Sequence, residues 1–321
     1  MKPPLHSCIF IDFEGFSSYI LKRQQALGQY GNQHESGVMM ACDLHIHSTA
    51  SDGSFTPSQV VDHAWNIGLT CISLTDHDTV EGIEEAETCA REHGVPFIPG
   101  IEMTTVVDEH EIHILGYFID YRSPDFHNFL KFSRDQTYCR LSEIVSALSK
   151  QGYSLTMEEV SEIAGPGSMG RPHVAQAMVR HGYVENTQEA FERFIGSDGL
   201  AYVPPRGVHS KEAYRVIAEA GGVSAFAHPG QGGRADMVRD HEIELHREWG
   251  ARALEVFHPR HDDYMINYYL KLAHKLNLGI VGGSDCHGAY YPKILMDRKL
   301  VPDWVAEKIR EFHDKLSLGS I

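Results

Sequence analysis

The sequence predicts an α/β protein of the barrel type, interrupted by a helical insertion. Two observations carry this. Short apolar runs alternate with helix-length segments over about residues 41–120 and again after 221, the rhythm of parallel strands joined by right-handed helical crossovers. Chemistry-bearing residues also collect where those runs end: His45/His47, Asp76/His77, Glu102, His228, His258 and Asp285/His287. Barrels of this kind build their sites on the loops that follow the C-terminal ends of strands. Chance would scatter the same residues among helix starts and surfaces.

Residues 1–40 share no pattern with the rest of the chain and end in Met39-Met40-Ala41, directly before the His-x-His strand. They are expected to lie outside the fold, with one of those methionines as an alternative start. The first strand, Cys42 to Ile46, carries His45 and leads into His47. A strand has a side-chain period of two, so both imidazoles point the same way, as two ligands of one ion must. A lone His-x-His says little; the later stretches that answer it say more. Thr56 caps a helix with Pro57 at its first position, ending at Gly68. Thr70–Leu74 is a buried strand that stops at Thr75-Asp76-His77-Asp78. A helix from Val80 to His93 ends at Gly94. Residues 96–101 lead to Glu102, and His110 to Phe118 is a strand carrying His113.

From about 121 to 220 the pattern turns helical. Phe126, Phe129, Leu130, Leu141, Ile144, Val145 and Leu148 mark one long helix over 125–150. Shorter helices follow near 157–164, 172–181 and 187–195, with a Gly-rich loop, Gly165 to His173, between them. Ser210 is expected to cap a helix to Ala220. Strands then return at 223–227, 253–257 and 279–284.

Composition narrows the function classes. The chain has 321 residues and a net charge of −16, which disfavours long duplex nucleic acid because that needs a basic face. A small phosphorylated ligand stays open, since bound cations reverse the local sign. The 21 histidines are the informative excess, as imidazole is the commonest metal ligand. The six cysteines are scattered, which reads as reduced thiols in a cytoplasmic protein. No run approaches 18 apolar residues, so no membrane span is expected.

The motifs Asp43-Leu44-His45-Ile46-His47-Ser48, Thr75-Asp76-His77-Asp78, Gly100-Ile101-Glu102, Ala227-His228-Pro229 and Ser284-Asp285-Cys286-His287-Gly288 together resemble the polymerase and histidinol phosphatase (PHP) superfamily. The resemblance covers about 41–120 and 221–300. The segment between, with Gly170-Arg171-Pro172-His173 and Ala201-Tyr202-Val203-Pro204, looks like the insertion of stand-alone bacterial phosphoesterases of that family. It implies a distorted (β/α)₇ TIM-like barrel, discontinuous over 41–120 and 221–321, with the helical insertion 121–220 contributing to the substrate pocket. It also implies two or three divalent cations. His45, His47, Glu102 and Asp285 would surround one. Glu102, His113 and His228 would hold a second, with Glu102 bridging, and Asp52, His77 and His287 a third. A mixed N/O donor set without thiolates suits Mn²⁺, Fe²⁺ or Zn²⁺ and does not choose among them; Mn²⁺ is the expected cofactor.

Other residues carry expectations too. Arg171 and His173 are candidates for a substrate's second phosphate, because a guanidinium grips phosphate with two parallel hydrogen bonds; Arg206 is a weaker one. His228 and His258 are candidates for catalysis, His228 chiefly as a ligand. Asp76 either holds an imidazole N–H or caps the helix near Val80. Cys286 reads as a buried filler, His110 as structural, and His261 as a helix-surface residue.

The implied activity is metal-dependent hydrolysis of small phosphorylated nucleotides, a nucleoside 3′,5′-bisphosphate giving the 5′-monophosphate, with 5′-3′ exonuclease action on short oligonucleotides as an extension. Two cations about 3.5–4 Å apart suit in-line displacement at phosphorus. The alternatives are a histidinol-phosphate phosphatase, a metal-binding PHP module with a structural or regulatory role, and an amidohydrolase.

Overall fold

The structure, a computed structural model, describes residues 41–290, 295–298 and 301–319. The expectations for residues 1–40 fall outside the described residues. β1 (Ala41–Cys42) leads into an extended stretch, followed by α1 (Pro57–Asn66), β2 (Ile72–Leu74), α2 (Ile83–His93), β3 (Phe97–Val107) and β4 (His110–Tyr117). The insertion holds α3 (Pro124–Lys150), α4 (Met157–Ala164), α5 (Arg171–Arg180) and α6 (Thr187–Ala190), which runs into a π turn, Phe191–Ile195. After it come β5 (Val208–His209), α7 (Ser210–Glu219), β6 (Val223–Phe226), α8 (Asp240–Trp249), β7 (Ala253–Phe257), α9 (Asp263–Leu276), β8 (Gly279–Gly282), β9 (Val301–Pro302) and α10 (Trp304–Ser317).

The main sheet runs β2-β3-β4-β6-β7-β8, with β5 beside β3, while β1 pairs with β9. The sheet curls until its two edges share residues 43–47. On one side Asp43 N–H donates to the Cys71 carbonyl at 3.0 Å and Thr75 N–H to that of Ile46 at 2.9 Å. On the other, Leu44 N–H donates to Gly282 at 3.1 Å and His47 N–H to Cys286 at 3.0 Å. The His-x-His stretch is therefore the seam of the molecule.

The expected all-parallel sheet fails at β4, which is antiparallel to both β3 and β6. Only Asp108 and Glu109 separate β3 from β4, at φ 46° and 66°. Two positive-φ residues make a type I′ hairpin, and a parallel crossover needs a dozen residues or more. The regular strand-helix alternation is broken there. A smaller correction concerns α2, which starts at Ile83 instead of Val80. Asp78 sits in the left-handed region at φ 51°, and its carboxylate accepts from Thr104 N–H and the Ser133 hydroxyl, both at 3.1 Å, so it caps nothing. Likewise His209, not Ser210, caps α7: its ring accepts the Lys211 N–H, and the Ser210 hydroxyl instead meets Thr105 at 2.7 Å.

Thr56 caps α1 as expected, in a reciprocal capping box with Gln59, and Gly94 ends α2 in the left-handed conformation. The insertion packs its own apolar core, with Leu141, Ile144 and Leu148 of α3 against Val174 and Met178 of α5 and Phe194. A second core lies between the sheet and α9 and α10, around Leu254, Tyr269, Val281 and Ile309. No helix among the described residues is long and apolar enough to cross a membrane. The five described cysteines are free thiols.

His246 on α8 lies in apolar surroundings, with Phe226 edge-on at 4.5 Å and the Tyr214 hydroxyl 2.8 Å from Nδ1. Burial pushes its pKa down to about 4. Between that value and about 6.5 the unfolded chain binds a proton that the folded one refuses, so stability falls as pH drops through this window. His246→Gln should remove at most about 2 kcal/mol of that pH dependence, read from urea unfolding at pH 7 and pH 5. An unchanged dependence would show that His246 titrates normally.

Candidate metal centre

Backbone geometry brings the polar residues to one end of the curled sheet. Asp43 Oδ1 accepts N–H groups from His45 at 3.3 Å and Ser284 at 2.9 Å, tying the seam to the loop after β8. A Cβ at Gly283 would fall 2.2 Å from that of His45, so only glycine permits this approach. His228 and Asp285 have φ of 26° and 52°, conformations that non-glycine residues rarely adopt. Such strain is stored where a site needs it.

Glu102 is the hub. It lies mid-strand in β3 and is fully buried. Its Oε2 lies 3.1 Å from His45 Nε2, 3.1 Å from His47 Nε2 and 3.2 Å from His77 Nδ1. Its Oε1 lies 2.9 Å from His113 Nδ1 and 3.0 Å from His228 Nε2. Asp285 Oδ1 stands 3.2 Å from His47 Nε2 and 3.5 Å from His45 Nε2. Asp52 completes the group, 3.3 Å from His287 Nε2, 3.8 Å from His47 Nδ1 and 3.9 Å from His77 Nε2.

The electrostatics arise from this crowding. Burial alone would push the Glu102 carboxyl up, but the imidazoles of His45, His77 and His113 hold it well below the usual range. Burial also opposes charge on His113 and His287, yet Glu102 and Asp52 respectively outweigh it and raise each to about 10. His77 goes the other way, with burial taking it down to about 4.

Three sets of ligand atoms lie within 4.8 Å of one another: His45, His47, Glu102 and Asp285; His77, Glu102 and His113; and His47, Asp52, His77 and His287. Buried His45 Nε2, both nitrogens of His47, His77 Nδ1 and Glu102 Oε2 lack hydrogen-bond partners. Leaving buried polar atoms unpaired costs roughly 1–3 kcal/mol each, so the cluster fits cations that would use those lone pairs. The donor set of imidazole and carboxylate suits divalent first-row metals.

A PHP domain profile matches residues 43–261, about two thirds of the chain. The chain belongs to the PHP domain family. It is 31% identical over 260 residues to the 5′-3′ exoribonuclease Rnm of Escherichia coli K12, covering 80% of this chain and 88% of that one. It is 28% identical to the 3′,5′-nucleoside bisphosphate phosphatase of Chromobacterium violaceum, covering 78% and 88%. A solved structure from Bifidobacterium adolescentis, described as a metal-dependent phosphoesterase, superposes with a TM-score of 0.78 at 28% identity, covering 87% of this chain and 98% of that one.

The PHP centre has an outer layer that sequence reasoning missed. Glu255, fully buried on β7, faces His45 Nδ1 at 3.0 Å and accepts the His228 N–H at 2.6 Å. It thereby fixes both a ring and a strained backbone. Its only sequence signal is a charged residue at an inward position of an apolar strand. Glu111 on β4 places Oε1 3.4 Å from His113 Nε2 and 2.7 Å from Arg171, and its other oxygen accepts from buried Arg140. Asp76 takes neither expected role. Its oxygens accept from Ser48 N–H, the Ser48 hydroxyl and the Ser51 hydroxyl at 2.6–2.7 Å, which pins the loop that carries Asp52.

A cavity of about 260 Å³ opens over the centre, lined by Asp52, His77, Glu102, His113, His228, Asp285 and His287 and, from the insertion, by Arg140, Met169, Arg171, Phe191 and Arg206. Arg171 and Arg206 reach it, Arg206 while paired with Glu143. His173 does not line it: the ring is buried and accepts the Gly170 N–H at 3.0 Å, holding the start of α5. His258 Nδ1 accepts the Arg260 N–H, and its buried Nε2 lies 3.6 Å from Asp285. His261 is buried, not on a helix surface: it accepts the Gly230 N–H at 3.0 Å and meets the Val256 carbonyl at 2.8 Å. Cys286 is buried, and His110 is exposed at the start of β4.

Glu255→Gln keeps the volume and removes the charge behind His45. It should fold and lose about 10–100-fold in metal affinity by calorimetry, the usual cost of removing a ligand's hydrogen-bond partner. Unchanged affinity would make Glu255 a packing residue only.

Proposed function

We propose that this PHP domain protein is a phosphoesterase acting on small nucleotides, removing the 3′-phosphate of a nucleoside 3′,5′-bisphosphate and trimming short RNA from its 5′ end. One observation carries the reading: a cluster of metal-type donors with unpaired lone pairs opens into a small pocket whose far wall bears Arg171 and Arg140. The three ligand sets would hold two or three cations, with Glu102 shared between sets. When bound, the cations would acidify water and offset the charge on phosphoryl oxygens.

The chain's own residues supply the rest. Arg171 and Arg140 would bind a second phosphate, while Glu111 holds their guanidiniums in place. His258 accepts an amide at Nδ1, so its neutral ring carries its proton on Nε2, facing the centre next to Asp285. That proton would orient an oxygen at the scissile phosphorus. Asp285 and Asp52, both held below the ordinary carboxylate range by imidazoles that outweigh their burial, stay ionised for cations. The cavity is below the roughly 300–1,000 Å³ of drug-sized ligand sites, which suits one nucleotide or a chain end better than a duplex. Phe191 on the cavity wall supports the short-RNA reading, since aromatic faces stack bases.

Histidinol phosphate has no second anion for the two arginines, which disfavours that alternative. The test is phosphate release by the Mn²⁺-reconstituted protein from a nucleoside 3′,5′-bisphosphate and from histidinol phosphate at equal concentration. A strong preference for the bisphosphate is expected; preference for histidinol phosphate sinks the proposal.

Arg171→Ala should raise KM for the bisphosphate by about tenfold or more, the worth of one charge-assisted hydrogen bond of roughly 1.5–3 kcal/mol, and change that of a monophosphate less. Equal effects on both would remove Arg171 from second-phosphate binding. His45→Ala and Asp285→Ala should lose metal and activity together, checked by metal analysis after dialysis.

A further inference from the structure

A second donor cluster stands on the outer helices, away from the loops that bear the metal centre. Asp62 lies on α1, and Cys89 and His93 lie one turn apart on α2, which packs against α1. Their ligand atoms all fall within 4.8 Å of one another. His93 Nε2 is 2.7 Å from Asp62 Oδ1, and Cys89 Sγ is 3.6 Å from the same oxygen. Trp65 stacks on the His93 ring at 4.5 Å and fixes its plane. The Ser58 carbonyl oxygen lies 3.7 Å from Cys89 Sγ, a polar atom beside the three donors.

We infer that Asp62, Cys89 and His93 form a site for one borderline divalent cation of the Zn²⁺ class, chemically distinct from the thiolate-free centre around Glu102. One thiolate, one imidazole and one carboxylate are the donors zinc takes in tetrahedral sites, with a fourth place for water or a carbonyl. The cysteine-histidine spacing of four residues puts both donors on one helix face. The side chains of Asp62 and His93 are 51% and 27% exposed, which leaves a cation a path in. The thiol is protonated when the site is empty, because burial and then the Asp62 carboxylate push Cys89 up. Binding breaks the S–H bond, forms the metal–sulfur bond and releases that proton to solvent; nothing is oxidised or reduced. An occupied site clamps α1 to α2, the helices that follow the loops bearing Asp52 and His77.

Co²⁺ titration of the full-length protein tests this, because a thiolate-to-cobalt charge-transfer band in the near ultraviolet reports sulfur ligation and the Glu102 centre has no thiolate to give. Once the two or three equivalents that the Glu102 centre would take are bound, one further equivalent should produce the band, and excess Zn²⁺ should bleach it. The band should persist in Cys8→Ser/Cys139→Ser, which removes the exposed Cys139 and the cysteine outside the described residues, and vanish in Cys89→Ser. Asp62→Asn and His93→Gln should weaken Co²⁺ binding by more than about tenfold, the loss that even an outer partner can cause. No band in the wild type, or a band that survives Cys89→Ser, overturns the site. So do Asp62→Asn and His93→Gln titrations that superimpose on the wild type, since they would leave a thiol acting alone.

Discussion

Everything at the active end depends on one buried carboxylate and the imidazoles around it. Glu102 is inaccessible to solvent and stands within 3.2 Å of five histidine nitrogens drawn from four separate stretches of chain. An ionised carboxylate out of water costs several kcal/mol unless its surroundings offset it. The offset comes from residues far apart in sequence, so the curled sheet must close for the charge to be tolerable. Closure falls to residues 43–47, which hydrogen-bond to both sheet edges and carry two of the five imidazoles.

Much of this is legible in the sequence. His45 and His47 show themselves through the strand period, and His77, His228, Asp285 and His287 through their places after short apolar runs. Glu102 is reached as a motif, although its strand runs on to Val107 and places it in mid-strand. What escapes are residues whose role lies in three dimensions. Asp108 and Glu109 bear no glycine or asparagine to announce a type I′ turn, so the antiparallel β4 is invisible. Glu255, Glu111 and Arg140 sit among ordinary strand and helix residues, and only the fold brings them behind the clustered imidazoles or beside the pocket. His173 misleads in the other direction: its neighbour Arg171 faces the cavity while its own ring is used up on the Gly170 amide.

The helical insertion gives the centre its second wall. Its outer part packs around apolar residues of its own helices, Leu141, Ile144 and Leu148 of α3 among them, while Phe126 and Leu130 at the start of α3 join Ile101, Met103 and Ile114 of the curled sheet. Ser168 N–H donates to the Ala50 carbonyl at 2.8 Å, and a Cβ on Gly167 would fall 2.7 Å from that oxygen. The loop that presents Arg171 thus rests on the loop that presents Asp52, so pocket and centre are built to a common reference.

Glu111 adds a thermodynamic consequence. One carboxylate is shared by His113, which faces the Glu102 hub, and by Arg171 and Arg140, which face the ligand pocket. An anion bound by Arg171 while Glu111 holds it would share that guanidinium's charge and so alter the carboxylate seen by His113, and a cation held by His113 would alter the carboxylate seen by Arg171. Occupancy of the two regions would then be linked, and linkage is reciprocal: whatever factor the cation contributed to the anion's affinity, the anion would return to the cation's.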